Sequence, residues 1–325
     1  MSAPAISNPA VSAPAASTPP KKRDPRMGLR TSATLATIFV IFGQTWFGFE
    51  QSVAQVLVCL IAGHACAFFF EWVDAKANND APAFAGGGWK KVLDWSLSAQ
   101  MTCVTLSFLM YYNRQLWIGA LAVALAIGSK YVFRVRSNGR LQHFMNPSNF
   151  AIVVVLATFK WVGILPWAFT TNLKGFWDAL VPIVIVMLGF RLNLLFTGRL
   201  PLIGAWLFTF IAQAMFRSWR IDTPLAGQLV PLTGVALVLF TLYMITDPQT
   251  SPSNKRSQVI FGSGIAIVYS LLFDIFHLQY TLFYAVTIVC ATRGLLLYID
   301  SKREQSPQST PIAVPPAARA AQVAG

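Results

Sequence analysis

Two short polar stretches interrupt an otherwise apolar chain, and each is built around a proline that follows Asn or Asp. They are Asn146-Pro147-Ser148-Asn149, and Asp247-Pro248 running on to Ser253-Asn254. Basic residues accompany both: Arg136, Arg140 and His143 before the first, Lys255 and Arg256 after the second. Proline has no amide hydrogen and ends a ladder of backbone hydrogen bonds, so the amides and carbonyls freed beside it can bind a ligand where they line a cavity. The same dipeptides can equally cap a helix after a polar turn. The surroundings must decide between these roles.

Those surroundings are hydrophobic. The chain has 325 residues, 55% hydrophobic and only 11% charged, with a mean hydropathy of +0.55, whereas soluble domains carry roughly 25% charged residues. This is the composition of an integral membrane protein. The net charge of +13 sits in short gaps between apolar runs, the pattern of topology signals and lipid-headgroup contacts and not of a nucleic-acid groove. The lipid bilayer is therefore the first partner to expect, and nucleic acid is not expected. Residues 1–30, rich in Ala, Pro and Ser and then basic, and residues 301–325 read as disordered tails around a transmembrane domain at 31–300. The basic cluster at Lys21–Arg23 follows the N-terminal stretch, so that stretch does not read as a cleavable signal peptide.

About 20 apolar residues cross a bilayer as helix. Ten candidate spans follow, at 32–49, 52–71, 97–112, 115–133, 148–166, 177–195, 200–216, 228–245, 258–275 and 279–298, of which 97–112 and 200–216 are short enough to be tilted or re-entrant. Lys76, Lys90, Lys91, Arg134, Arg136, Arg140, Arg199, Lys255, Arg256, Lys302 and Arg303 all fall on the side of the N-terminal basic cluster. Positive residues favour the cytoplasm, so the expected topology has both termini there. The fold class expected is all-α: a polytopic integral membrane protein of about ten helices, some of them broken, with the two corners suggesting two five-helix repeats.

Other chemistry is sparse. Cys59, Cys66, Cys103 and Cys290 lie in apolar runs without a CxxC and read as core residues. Of the three histidines, His64 is placed to bond a neighbouring helix, and no facing pair suits a bis-histidine haem. No phosphate-binding loop, nucleophile elbow or zinc-protease motif occurs, and the Phe84–Lys91 stretch with its three glycines reads as a linker.

Two longer stretches carry a resemblance. Lys130, Phe133, Gly139, Arg140, Phe144, Asn146 and Pro147 are similar to a Gly-Lys-x-x-Phe and Gly-Arg-x-x-Phe-Asn-Pro pattern, with Met145 inserted before Asn146. Thr246, Asp247, Pro248, Thr250, Asn254, Ile260, Phe261 and Gly262 are similar to a Thr-Asp-Pro-x-Thr pattern followed by Asn and Ile-Phe-Gly. Together, over roughly 95–300, they resemble the RnfD/NqrB family, which comprises a membrane component of the Rnf electron-transport complex and its homologue in the sodium-pumping NADH:quinone reductase. The chain resembles more closely in length a shorter branch found beside enediyne-biosynthesis genes. Family members esterify flavin mononucleotide to a threonine in a long outer loop. Here the loop is short, and Thr170 and Thr171 lack the Ser-x-Ala-Thr signal, so no covalent flavin is expected.

The resemblance implies a multi-pass inner-membrane component of electron transport coupled to ion or solute movement, working with other membrane or redox subunits. It implies a flavin (FMN or riboflavin) held non-covalently in a cavity framed by Asn146, Pro147, Asp247 and Pro248, with Arg140, Lys255 and Arg256 able to pair with a flavin phosphate. Two alternatives stay open. The broken helices could line a path for a small solute or biosynthetic product without redox chemistry, or the chain could be a structural anchor.

Overall fold

The computed structural model describes residues 26–137, 140–164 and 171–305. The tail stretches 1–25 and 306–325, and Thr170 with its neighbours 165–169, lie outside the described residues. Among the described residues ten apolar helical segments follow one another. They are α1 (Met27–Phe42), α2 (Val53–Ala77), α3 (Gly88–Leu109), α4 (Leu116–Val132), α5 (Pro147–Thr158), α6 (Phe176–Leu192), α7 (Leu200–Arg220), a broken segment containing α8 (Leu225–Leu229) and α9 (Val235–Leu239), α10 (Lys255–Asp274) and α11 (Thr281–Gln305). The only strands among the described residues are short: β1 (Met110–Tyr111) pairs antiparallel with β4 (Gly163–Ile164), and β2 (Arg134–Ser137) forms a hairpin with β3 (Arg140–His143).

Five helices are long and apolar enough to cross a membrane alone, and the pair bent by 63° around Gly234 makes a sixth. This fits an all-α, multi-pass membrane protein. The outward surface agrees, since Ile61, Phe208, Trp219 and Ile260 are each at least 70% exposed, a display that only hydrocarbon solvates without penalty.

Several sequence expectations shift. The segment at 148–166 is helical only through Thr158. The segment at 97–112 starts earlier, at Gly88, so Trp89–Lys91 form a helical first turn where a linker is expected. The expected N-terminal tail ends sooner, because α1 already begins at Met27 and Arg26 and Arg30 both bond Asp94 on α3. The C-terminal tail likewise begins as helix, up to Gln305. His64 bonds the Leu60 carbonyl of its own helix, not a neighbour. A carbonyl four residues back is the nearest acceptor in an otherwise apolar setting.

Local chemistry explains the helix starts. Ser52, Asn146 and Asn254 each accept a backbone N–H at the head of α2, α5 and α10. Pro147 occupies the first position of α5, where no amide hydrogen is needed. Helices α1 and α6 end alike: each runs into one π-turn (Gly43–Phe47, Asn193–Thr197) and stops at a glycine with positive φ, Gly48 at 83° and Gly198 at 63°.

In packing, α2 lies on α3 and α4, α4 on α5, α7 on α10, and α10 on α11, while α5 meets α11. Small residues allow the closest approaches, as expected where apolar packing cannot be driven by water. A side chain at Gly262 of α10 would meet the Leu202 carbonyl oxygen of α7 at 2.5 Å. Among the described residues the larger hydrophobic core runs from Leu106, Met110 and Ile118 to Trp206, Phe210 and Phe240, with a smaller cluster around Ala67, Ala99 and Ile127.

Candidate functional site

The two proline corners converge. Asn146 is buried at the head of α5, where its Oδ1 accepts from the Asn149 amide at 3.0 Å and its Nδ2 donates to the Met244 carbonyl at 3.3 Å. Met244 closes the π-turn Phe240–Met244 that leads into Asp247. Of the two roles the sequence left open, the first corner takes the capping one, and its side chain also touches the second corner. Asn149, one turn on, donates to the Phe283 carbonyl at 2.8 Å and to Thr287 Oγ1 at 2.7 Å, fastening α5 to α11.

Asp247 does not cap α10; Asn254 does. Its carboxylate instead accepts from the Gln249 amide at 3.2 Å and the Thr250 hydroxyl at 3.1 Å, and its carbonyl accepts from the Ser251 hydroxyl at 2.6 Å. The loop so formed is held from outside. Arg199, 6% exposed, donates to Ser251 Oγ at 2.8 Å and to the Pro248 and Ser251 carbonyls at 3.3 Å, and Arg293 donates to the Thr250 carbonyl at 3.1 Å.

Next to both corners stands Lys130, near the end of α4. Its ammonium donates three bonds of 3.0 Å, to the Ser98 carbonyl, Ser98 Oγ and Thr102 Oγ1 of α3. In the sequence Lys130 matches a pattern without carrying a site role. Its signal is plain in retrospect, since it is the sole charged residue of α4. His143, on the hairpin, is the fourth group here. Burial pushes its imidazole down to about 4; the attraction of Asp247 opposes this, and Lys130 and Arg134 add to the fall. At neutral pH it is an uncharged donor and acceptor.

These groups form one end of a cavity of about 780 Å³. Lys130, His143, Asn146, Pro147, Asp247 and Pro248 all line it. Its walls are α1, α3, α6 and the π-turn after α9, and are mostly apolar. A second space of about 370 Å³ adjoins it, sharing Ser98, Lys130, His143 and Gln249 as a common wall and reaching Tyr131, Arg134 and Gln142 on the other side. Arg134 is held there by two 2.9 Å bonds to Asp74 and lies over the Tyr131 ring.

Of the seven residues the sequence singles out, Asn146, Pro147, Asp247 and Pro248 share this cavity. Lys255 and Arg256 do not: both are exposed on the first turn of α10 and line neither space. The Arg140 side chain lies outside the described residues. Residues that could hold a flat, partly polar group such as a flavin are therefore present, with apolar walls and donors at one end. A phosphate contact from Lys255 or Arg256 does not fit. Among the described residues no cluster of three His, Cys, Asp or Glu could hold a metal ion.

No protein-family model matches the chain, and no curated protein matches it.

Proposed function

We propose that the chain is an RnfD/NqrB-like membrane component of electron transport, coupled to ion or solute movement, that holds a flavin non-covalently in the cavity beside Lys130. One observation carries this reading. The parts of the resemblance, Lys130, Asn146-Pro147 and Asp247-Pro248, come from distant stretches and line one cavity. A bound flavin supplies the redox chemistry. The chain would attract it by the charge of Lys130, orient it through the polar groups of Ser98 and Asn146, and keep water away with the apolar walls. Further membrane or redox subunits deliver and remove electrons.

The topology that accompanies this reading has ten spans in two halves of five, in the inner membrane, with both termini cytoplasmic. Three packing relations support the halves by recurring at a shift of five spans. The pairs α2 on α4 and α7 on α10 match, as do α4 on α5 and α10 on α11, and α1 on α3 matches α6 on the π-turn Phe240–Met244. Under this pairing the two corners are not counterparts, as the sequence suggested. They follow the fourth and eighth spans, both even numbers, so both fall on the cytoplasmic side and meet there.

The test is a visible absorption spectrum of the detergent-purified full chain, with acid extraction. A flavin released by acid in near-equal amount supports the reading, and Lys130→Gln, which removes the positive charge of α4 at the cavity's end, then retains less of it. A colourless protein that takes up no added flavin overturns it.

A second reading, transport of a small solute or biosynthetic product without redox chemistry, is favoured by the polar space behind the Lys130 wall. It continues the cavity past the corners. Solute flux in liposomes by a flavin-free preparation, blocked by bulk at Gln249, supports it; flux no faster than in empty liposomes overturns it.

A further inference from the structure

The cavity is long. Its lining on α1 and the following π-turn runs from Gly28 to Phe47, and on α6 from Trp177 to Thr197, which at about 1.5 Å per residue is roughly 30 Å, the thickness of a bilayer's hydrocarbon. Between its two ends the lining is mostly apolar, and an extended hydrocarbon chain, lying at carbon–carbon contacts of about 3.5–4.0 Å from the walls, fits along its length.

The slot also has a side opening. Helices α1 and α6 meet near their ends: the Trp46 and Trp177 rings lie 5.3 Å apart at one end, and Phe196 packs on Gly28 at the other. Between these points Ile38 and Phe42 of α1 and Val184 of α6 line the cavity and are also 42%, 45% and 41% exposed. The surface around the gap is apolar, with Ile41, Ile183 and Met187 exposed, so in a membrane the gap faces lipid tails.

We propose that the apolar length of the slot, from Leu35 to Trp46 on α1 and from Trp177 to Leu188 on α6, is a binding site for one unbranched acyl chain that enters sideways from the bilayer between α1 and α6. The chain belongs to a phospholipid or to a free fatty acid. Methylenes set against the apolar walls of α1 and α6 gain dispersion contacts with packed side chains. The corner end, with Lys130 and Asp247, stays free for the polar ligand, and the acyl site stands independently of the flavin reading.

The experiment uses the full chain in lipid nanodiscs and a fatty acid carrying a photoreactive diazirine in its chain, with the labelled residues mapped by mass spectrometry. Labels are expected on residues 35–47 and 177–188. Val184→Trp and Ile38→Trp, which fill the gap from its lipid-facing side, abolish that labelling. Ile183→Trp, on the neighbouring lipid-facing position, leaves it unchanged and controls for folding. Lipid extraction of the purified protein then separates the sources: a phospholipid lost in Val184→Trp identifies a bilayer lipid, and a fatty acid lost in it identifies a free acid. Equal labelling in Val184→Trp and Ile183→Trp, or labels spread evenly over α2 and α7, overturns the site. A colourless protein that still labels at α1 and α6 refutes the flavin reading and leaves the acyl site standing.

Discussion

Asn146 donates from its Nδ2 to the carbonyl of Met244, 98 residues later, at 3.3 Å, while its Oδ1 caps its own helix at 3.0 Å. One amide thereby joins the two corners of the cavity. Replacing it tests both tasks.

Asn146→Ala removes the cap and leaves the Met244 carbonyl without this donor, a loss of about 1–3 kcal/mol. Asn146→Asp keeps the capping oxygen but sets a carboxylate against that carbonyl. Thermal unfolding in detergent is expected to rank wild type above both variants. Asn146→Asp should fall no less than Asn146→Ala, because a charge facing a carbonyl costs more than a missing bond.

His143 sets a pH dependence. Its folded value, pushed by burial to about 4, lies below the ordinary 6.5. An unfolded chain then binds the proton more readily between these values. The stability from the neutral imidazole is present above pH 6.5 and is lost as pH falls from 6.5 toward 4. The melting temperature of wild type should drop across that window more steeply than that of His143→Gln. Parallel curves would show that the imidazole carries no such burden.

Arg199 should be irreplaceable by lysine. Its planar fork serves Ser251 and two carbonyls at once, and an ammonium cannot reproduce that geometry. Arg199→Lys is expected to speed amide hydrogen exchange at Thr250 and Ser251, whose amides bond the Asp247 carbonyl, while exchange in α4 stays unchanged.

Gly262 marks a helix contact made directly against backbone. A methyl group there would lie 2.5 Å from the Leu202 carbonyl oxygen and 3.1 Å from the Trp206 amide nitrogen, and backbone of two packed helices yields little. Gly262→Ala should cost about 1–3 kcal/mol, and Gly262→Leu should fail to give a monodisperse peak on size exclusion.

Much of this was legible in the sequence because bilayers impose simple rules. Long apolar runs announce α2, α6, α7, α10 and α11, and Asn146-Pro147 announces the start of α5, whereas the cap of α10 is Asn254 and not Asp247. Less was legible where length and hydropathy conflict. Residues 159–164 are apolar enough to continue α5, yet Gly163 and Ile164 pair as strand with Met110 and Tyr111, since a ladder partner satisfies their backbone as well as a helix does. The bend at Gly234 is equally invisible to a hydropathy window, which averages over it.

What the sequence alone determined is the class of molecule: a basic, apolar, helical chain with two polar corners, each feature following from residue type and spacing. Only the tertiary structure decided what the corners face. It brought Lys130 to Ser98 and Thr102, seated Asn146 on Met244, left Lys255 and Arg256 on the outside, and opened a slot between α1 and α6. The physical reason is that residue spacing dictates which side of a helix a group occupies. Which helix comes to face that side depends on close approaches, such as Gly262 on Leu202, that no local pattern encodes.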